Sequence, residues 1–377
     1  MSGGDGAYAS VEICAGAGGQ AVGLHNAGFS HRALIEVDPH AAQTLRYNTE
    51  KQGWRRCEVL EEDLTTFSAA DLEKRIQTED AKKLALISGG VPCPPFSMAG
   101  KRLGADDERD LFPAMLDMVD KLRPRAVMIE NVRGLLDEQF RAYRDQIKSR
   151  LEGLGYTVVF WKLLEARNFG VPQLRPRSIL VAMMKSDAPY FIEPSGASKE
   201  TTVADALEES MRQRFSAAET RTRDEANQAF AQWLAKAKAK NSVAPTLVGG
   251  SKKHGGADLG PTRAKRAWEE LGVDAHGVAE PLGQTKDEER DLFGPRGPKL
   301  TVAQAALIQG FPEQWKFVGR KTAAYRQVGN AFPPLVAQAV GEAIFEALNA
   351  ADRKETPPEP PEATLVIGER RLELSAG

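Results

Sequence analysis

The sequence predicts an α/β fold, a doubly wound, mostly parallel sheet joined to a second, smaller and irregular domain. Three observations carry this expectation. Through the first third of the chain, short apolar runs alternate with amphipathic stretches, the pattern of strands covered by helices. Near residues 189–195 the character changes to a polar, Ala-rich region and then to one rich in Gly, Lys and Ser. Helical periodicity returns near Thr301. A chain of 377 residues suits one large domain plus a smaller one.

Residues 11–14 read as a strand ending in a Gly-rich turn, and residues 20–27 as the helix after it. Residues 33–37 and 40–48 repeat the strand–helix pair, and 84–88 and 126–130 are further short apolar strands. Residues 200–240 are expected to be helical, and 241–261 irregular. Helices are expected again at 301–309 and 334–348. Pro357, Pro358, Pro360 and Pro361 mark a linker, and the tail at 363–374 reads as strand or as disordered.

Composition narrows the function. Apolar residues make up 42%, enough for a real core, and no run approaches the ~18 apolar residues of a membrane span. The first ten residues lack the basic and apolar segments of a secretory signal, so a cytoplasmic location is expected. Three scattered cysteines, Cys14, Cys57 and Cys93, fit neither a disulfide framework nor a zinc site, so no metal is expected. They leave room for a working thiol. With a net charge of −2, any nucleic-acid binding must rely on a local basic patch.

Four motifs carry chemistry. In Ile13-Cys14-Ala15-Gly16-Ala17-Gly18-Gly19, glycines at a strand-to-helix turn let backbone approach a nucleotide-like ligand. Glu36, about 20 residues on, stands where an acid binds ribose hydroxyls. Gly16-x-Gly18-x-x-Ala21 also fits a dinucleotide fingerprint, so this motif alone leaves NAD binding open. In Gly89-Gly90-Val91-Pro92-Cys93-Pro94-Pro95-Phe96-Ser97, prolines stiffen a turn at the carboxyl edge of the sheet and aim a thiol. A small buried residue in a turn is the alternative there. Glu130-Asn131-Val132 puts a carboxylate at a neighbouring strand end, where it acts as a proton donor or as a plain surface charge. In Gln173-Leu174-Arg175-Pro176-Arg177, arginines at i and i+2 of an extended segment should share a side and suit a carbonyl or phosphate, a solvated edge strand being the alternative.

As an ordered set, these motifs resemble the cytosine-5 DNA methyltransferase family across residues 10–345. Leu300-Thr301, Gln309-Gly310-Phe311-Pro312 and Gln327-Val328-Gly329-Asn330-Ala331-Phe332-Pro333-Pro334 are similar to its last two motifs. The resemblance implies a Rossmann-like methyltransferase sheet in a catalytic and cofactor-binding domain at 1–190. It implies a target recognition domain at 191–297, a return segment completing the catalytic domain at 298–350, and a Pro-rich linker and tail at 351–377. It implies S-adenosylmethionine as cofactor, converted to S-adenosylhomocysteine. Cys14, Ala15, Gly16, Ala17, Gly18, Gly19, Glu36, Val37, Asp63, Leu64, Pro92, Asn330 and Ala331 match the cofactor positions, with Asp38 and Asn48 in the stretch around the ribose. Cys93 matches the nucleophile that attacks carbon 6 of cytosine. Glu130 would hydrogen-bond the ring at N3, Arg177 would hold its carbonyl oxygen, and Arg175 would help position Cys93 and the substrate.

The target base would be flipped out of the duplex. Residues 96–110 would form a loop closing over it, in which Ser97, Asp107 and Arg109 match family positions. The sequence departs from the family at Cys14 and Val37, where many relatives carry aromatics against adenine. It departs also at Pro94-Pro95, and at Pro298, Ala303 and Gln304, which replace charged residues. The implied partners are double-stranded DNA and, in a restriction–modification setting, a separately encoded endonuclease. A monomer is expected.

Residues 236–266 hold eight basic side chains against one acid, Asp258, a net of +7. Within this stretch Lys252, Lys253, Arg263 and Arg266 are the expected DNA contacts, with a solvated linker as the alternative. Two rival functions remain. A tRNA cytosine-5 methyltransferase of the same fold would carry a Cys-Phe-Thr signature, which follows none of the three cysteines. A catalytically inactive DNA-binding protein would not need the intact set of Cys93, Glu130, Arg175 and Arg177.

Overall fold

A computed structural model describes residues 8–76, 84–92, 111–249, 257–281, 283–285 and 287–358. Among them, seven strands form one sheet: β1 (Tyr8–Ile13), β2 (Phe29–Ile35), β3 (Glu58–Leu60), β4 (Leu84–Gly89), β5 (Ala126–Val132), β6 (Tyr156–Glu165) and β7 (Pro176–Met184). Their order is β3-β2-β1-β4-β5-β7-β6. The first five run parallel, and β7 pairs antiparallel with both β5 and β6. Every residue of β1 and β4 is buried, as expected of central strands covered on both faces. The antiparallel β6–β7 pair is not anticipated by the strand–helix alternation. β6 is an edge strand, and its mixed burial blurs the apolar pattern that marks the inner strands.

Helices α1 (Gly19–Asn26), α2 (Pro39–Gln52), α3 (Ala69–Arg75), α4 (Phe112–Leu122) and α5 (Arg141–Gly153) accompany the strands. Helix α2 shows why its boundaries fall where they do. Asp38 caps its first turn through the His40 and Ala41 N–H groups, Pro39 opens it, and Gly53 closes it at φ 72°. Alternate residues of β5 supply the two faces of the sheet. Val127 and Ile129 pack with α4 and α5, whereas Ala126 and Met128 face the side covered by α1 and by α12 (Pro334–Asp352).

Between β7 and α12 lie α6 (Val203–Ser216), α7 (Arg223–Lys240), α8 (Thr262–Glu270), α9 (Glu288–Asp291), α10 (Val302–Ile308) and α11 (Lys321–Asn330). The apolar side chains of α6 to α8, including Phe215, Trp233 and Trp268, share one cluster with Phe311, Trp315 and Leu45. Helices in the 191–297 stretch therefore pack on one another and, in the same continuous core, on the return segment. The family departure at Gln304 is accommodated here. Gln304 completes a capping box with Thr301, and its side-chain oxygen accepts from Arg214 Nη1 at 2.8 Å.

His31 on β2 is buried between β1 and α1. Its Nε2 lies 2.9 Å from the Ala21 carbonyl, which can only accept, so Nδ1 accepts from the Ser10 hydroxyl at 3.0 Å. This arrangement fixes a neutral imidazole, and burial pushes its pKa down to about 4. Below the ordinary value of 6.5 the unfolded chain takes up a proton that the folded chain refuses. The stabilisation is thus whole above that value and is lost as pH falls toward about 4. We expect the stability advantage of wild type over His31→Gln, measured by urea denaturation, to shrink between neutral pH and pH ~5. An advantage that stays constant would refute the neutral buried imidazole.

Candidate active site

The strand order reverses between β1 and β4, and open α/β sheets bind ligands at such a point, beyond the carboxyl ends of their strands. There the chain leaves β1 through a turn with positive φ at Cys14 (50°), Gly16 (54°) and Gly18 (89°). A side chain on Gly19 would strike the Phe332 carbonyl of the return segment, so glycine lets the two ends of the chain touch. Glu36, just past β2, accepts from the Gly16 N–H at 2.7 Å and the Asp38 N–H at 2.8 Å. Burial lifts its pKa while these bonds oppose the rise. Together these groups line a cavity of about 380 Å³ with Cys14, Ala15, Ala17, Gly19, Gly90, Pro92, Glu130, Asn330 and Ala331.

Glu130 reaches this cavity from the end of β5. Its Oε1 pairs with Arg177 Nε at 2.8 Å, both side chains being mostly buried. Its Oε2 lies 2.9 Å from where a side chain on Gly90 would begin, so the glycine clears room for the carboxylate. The neighbouring Asn131 donates to the Val91 carbonyl at 2.9 Å, which ties the end of β5 to the chain two residues before Cys93.

Arg175 and Arg177 do not share a side, contrary to the spacing argument. Arg175 precedes β7, is 1% exposed and points into the interior. Its Nη1 donates to the Leu247 carbonyl at 2.8 Å, and Nη2 to those of Gly329 and Ala331 at 2.8 and 2.9 Å. Gln173 supports the same junction, donating to Gln309 Oε1 at 2.6 Å and accepting from the Leu247 N–H at 2.8 Å. Gln309 in turn donates to the Ala331 carbonyl. Burial lowers the Arg175 pKa to about 9, which still leaves it a cation at neutral pH. The arginine departs from the expected geometry because its long side chain swings away from the strand direction toward the carbonyls of Leu247, Gly329 and Ala331.

Other expected residues separate in the same way. Gly18 packs under Trp315, Leu64 is core, and Asp63 accepts from the backbone and hydroxyl of Thr65; with Val37, 60% exposed, they lie outside the cavity lining. Asn48, expected near the ribose, instead clasps Lys316, donating to its carbonyl at 2.7 Å and accepting from its N–H at 2.9 Å. Cys93, Ser97, Arg109, Lys252 and Lys253 lie outside the described residues. Arg263 and Arg266 are exposed on α8, while Lys238, Lys240 and Lys265 pair with Glu208, Glu270 and Asp258.

The cavity also recruits Glu12, Gln20 and Arg326, which sequence reasoning missed. Glu12 was visible as an acid inside an apolar strand. Arg326 stands one helical turn before Asn330, on the same helix face. Burial pushes the pKa of Glu12 well above the usual carboxylate range. Burial likewise pushes up the thiol of Cys14, and that of Cys57 to about 12. Neither supplies a ready thiolate.

A ligand cavity at the switch point, a Gly-rich turn and a carboxylate–arginine pair at neighbouring strand ends define a Rossmann-like enzyme with a second reactive group beside its nucleotide site. The C-5 cytosine-specific DNA methylase family matches residues 8–346, and the chain belongs to it. It is a DNA cytosine-5 methyltransferase, of a family dependent on S-adenosylmethionine. It is 49% identical over 340 residues to the Type II methyltransferase M.NaeI of Lentzea aerocolonigenes, covering 90% of this chain and 75% of that one. It is 44% identical over 345 residues to M.NgoMIV of Neisseria gonorrhoeae, covering 90% and 98%. Its fold is similar to that of a candidate DNA modification methyltransferase from an E. coli prophage. There the TM-score is 0.59 at 21% identity, over 91% of this chain and 100% of that one.

The Arg175 junction makes a direct prediction. Arg175→Lys should lower the free energy of unfolding by about 3 kcal/mol, because one ammonium cannot span three carbonyls. Urea denaturation checks this, and a loss below about 1 kcal/mol would show that the junction holds without the guanidinium fork.

Proposed function

We propose that this enzyme methylates carbon 5 of a cytosine flipped from duplex DNA at a specific short sequence, with S-adenosylmethionine as donor and Cys93 as nucleophile. One observation carries the reading. Glu130 stands on the wall of the cavity that the Gly-rich turn lines, beside Gly90 and together with Pro92, the residue before Cys93. A donor held by that turn and a base held by Glu130 would therefore meet in one space. The residues fit such a donor: Gly16 and Ala17 of the turn line the cavity, and Glu36 stands where a ribose diol would be gripped. When bound, S-adenosylmethionine supplies an electrophilic methyl group.

Cytosine carbon 5 is a poor nucleophile on its own. Addition of the Cys93 thiolate to carbon 6 moves the ring electrons toward carbon 5 and N3. Glu130 hydrogen-bonds N3 and the exocyclic amine and donates a proton to N3 as electrons arrive. Arg177 keeps N–H groups not used by Glu130 and the Pro176 carbonyl, and these hold the base's carbonyl oxygen. Carbon 5 then takes the methyl group, its proton passes to a solvent base as the thiolate leaves carbon 6, and N3 returns its proton to Glu130. Arg175 acts as a positioning residue, through the junction it holds beneath Ala331.

The two named relatives are Type II methyltransferases. We place this chain in the same kind of system, acting as a monomer on cytoplasmic DNA beside a separately encoded endonuclease. Recognition falls to residues 191–297, within the boundaries read from the sequence. Arg263 and Arg266 are three apart on α8, exposed and without a carboxylate partner among the described residues, so they are our first choice for phosphate contacts. Lys252 and Lys253 belong to the same proposal.

A duplex carrying 5-fluorocytosine tests the nucleophile. Fluorine cannot leave carbon 5 as the proton does, so the wild type should be trapped covalently and Cys93→Ser should not. Adducts through Cys14 or Cys57 would overturn the assignment. For the DNA contacts, Arg263→Ala and Arg266→Ala should weaken binding to cognate and shuffled duplexes alike. Each should lower the slope of log affinity against log salt by about 0.9. Wild-type affinity and slope in both would move the recognition surface off α8.

A further inference from the structure

The charges around the cavity are unequal. Among the described residues its ionisable lining holds the acids Glu12, Glu36, Asp38 and Glu130, the imidazole of His40, the thiol of Cys14, and one permanent cation, Arg326. Glu130 already has Arg177, and Glu12 lies in the interior of β1, so neither pairs with Arg326. Arg326 itself is half-buried and forms no hydrogen bond or ion pair with any described residue.

The surrounding chain fixes its position. Arg326 lies in the last turns of α11, whose carboxyl end is packed against Gly249. A side chain on Gly249 would begin 2.5 Å from the Arg326 carbonyl and would also meet the Asn330 carboxamide. Ala323, one turn earlier on the same helix face, lines the cavity with a single methyl and leaves the guanidinium room.

A sulfonium methyl donor with an amino-acid tail carries a sulfonium, an ammonium and one carboxylate. The acids of this cavity suit the first two and the ribose. A carboxylate among them, unmatched, would bear a desolvation cost with only repulsion in return. We propose that Arg326 receives the α-carboxylate of the methyl donor and so selects ligands that retain the whole amino-acid tail. This rests on the donor reading above.

Calorimetry with S-adenosylhomocysteine and with its decarboxylated analogue separates the possibilities, because the two differ only in the carboxylate. Arg326→Gln should weaken S-adenosylhomocysteine binding about 10- to 100-fold and leave the decarboxylated analogue unchanged. That unchanged binding also shows that the variant is folded. Arg326→Lys should recover part of the loss, since an ammonium keeps the charge without the fork. Equal losses for both ligands would make the residue structural and overturn the proposal. Unchanged binding of both, with a flatter salt dependence on DNA, would make it a phosphate contact and overturn it equally. Wild-type protein that binds neither ligand would overturn the donor reading itself.

Discussion

The buried guanidinium of Arg175 is the joint on which the rest of the architecture depends. It collects carbonyls from residue 247, in the helical insertion, and from residues 329 and 331, at the end of the chain's return to the sheet. Each carbonyl, left alone in this interior, would carry a desolvation penalty of roughly 1–3 kcal/mol. One planar fork satisfies all three and fixes the angle at which the segments meet. Gln173 and Gln309 extend the network on either side. The wall of the donor cavity formed by Asn330, Ala331 and Phe332 is set by contacts made outside the cavity.

A second constraint links the two halves of the chemistry. Asn131 and Glu130 are neighbours on one strand, so their side chains point to opposite faces of the sheet. One holds the carbonyl of Val91 and the other pairs with Arg177. The segment that leads to Cys93 and the Glu130 carboxylate are thereby spaced by a single strand end. Such sharing favours rigid geometry, since neither group can shift without the other.

Some of this was legible in the sequence. The turn after β1 could be read because positive φ at Gly16 and Gly18 demands residues that tolerate it, and the central strands because their apolar runs are unbroken. The fate of Arg175 could not be read from its spacing, because a side chain of that length reaches targets more than seventy residues away. The basic stretch was over-counted for a related reason. Lys240 meets Glu270 and Lys238 meets Glu208, partners thirty residues apart that only the packing of helices brings together. β6 escaped because an edge strand with partly wetted side chains lacks the apolar signature of a central one. Arg326 carries no such signal, because its spacing from Asn330 does not reveal that its side chain lines the cavity.

The contact between Gly19 and Phe332 has a consequence for biosynthesis. The turn after β1 is completed by residues about 300 positions later, so the cavity it lines cannot close during most of translation. At a synthesis rate of roughly 5–20 residues per second, the amino-terminal turn waits on the order of 15–60 s for its partner to leave the ribosome. A prematurely terminated chain would lack that wall altogether.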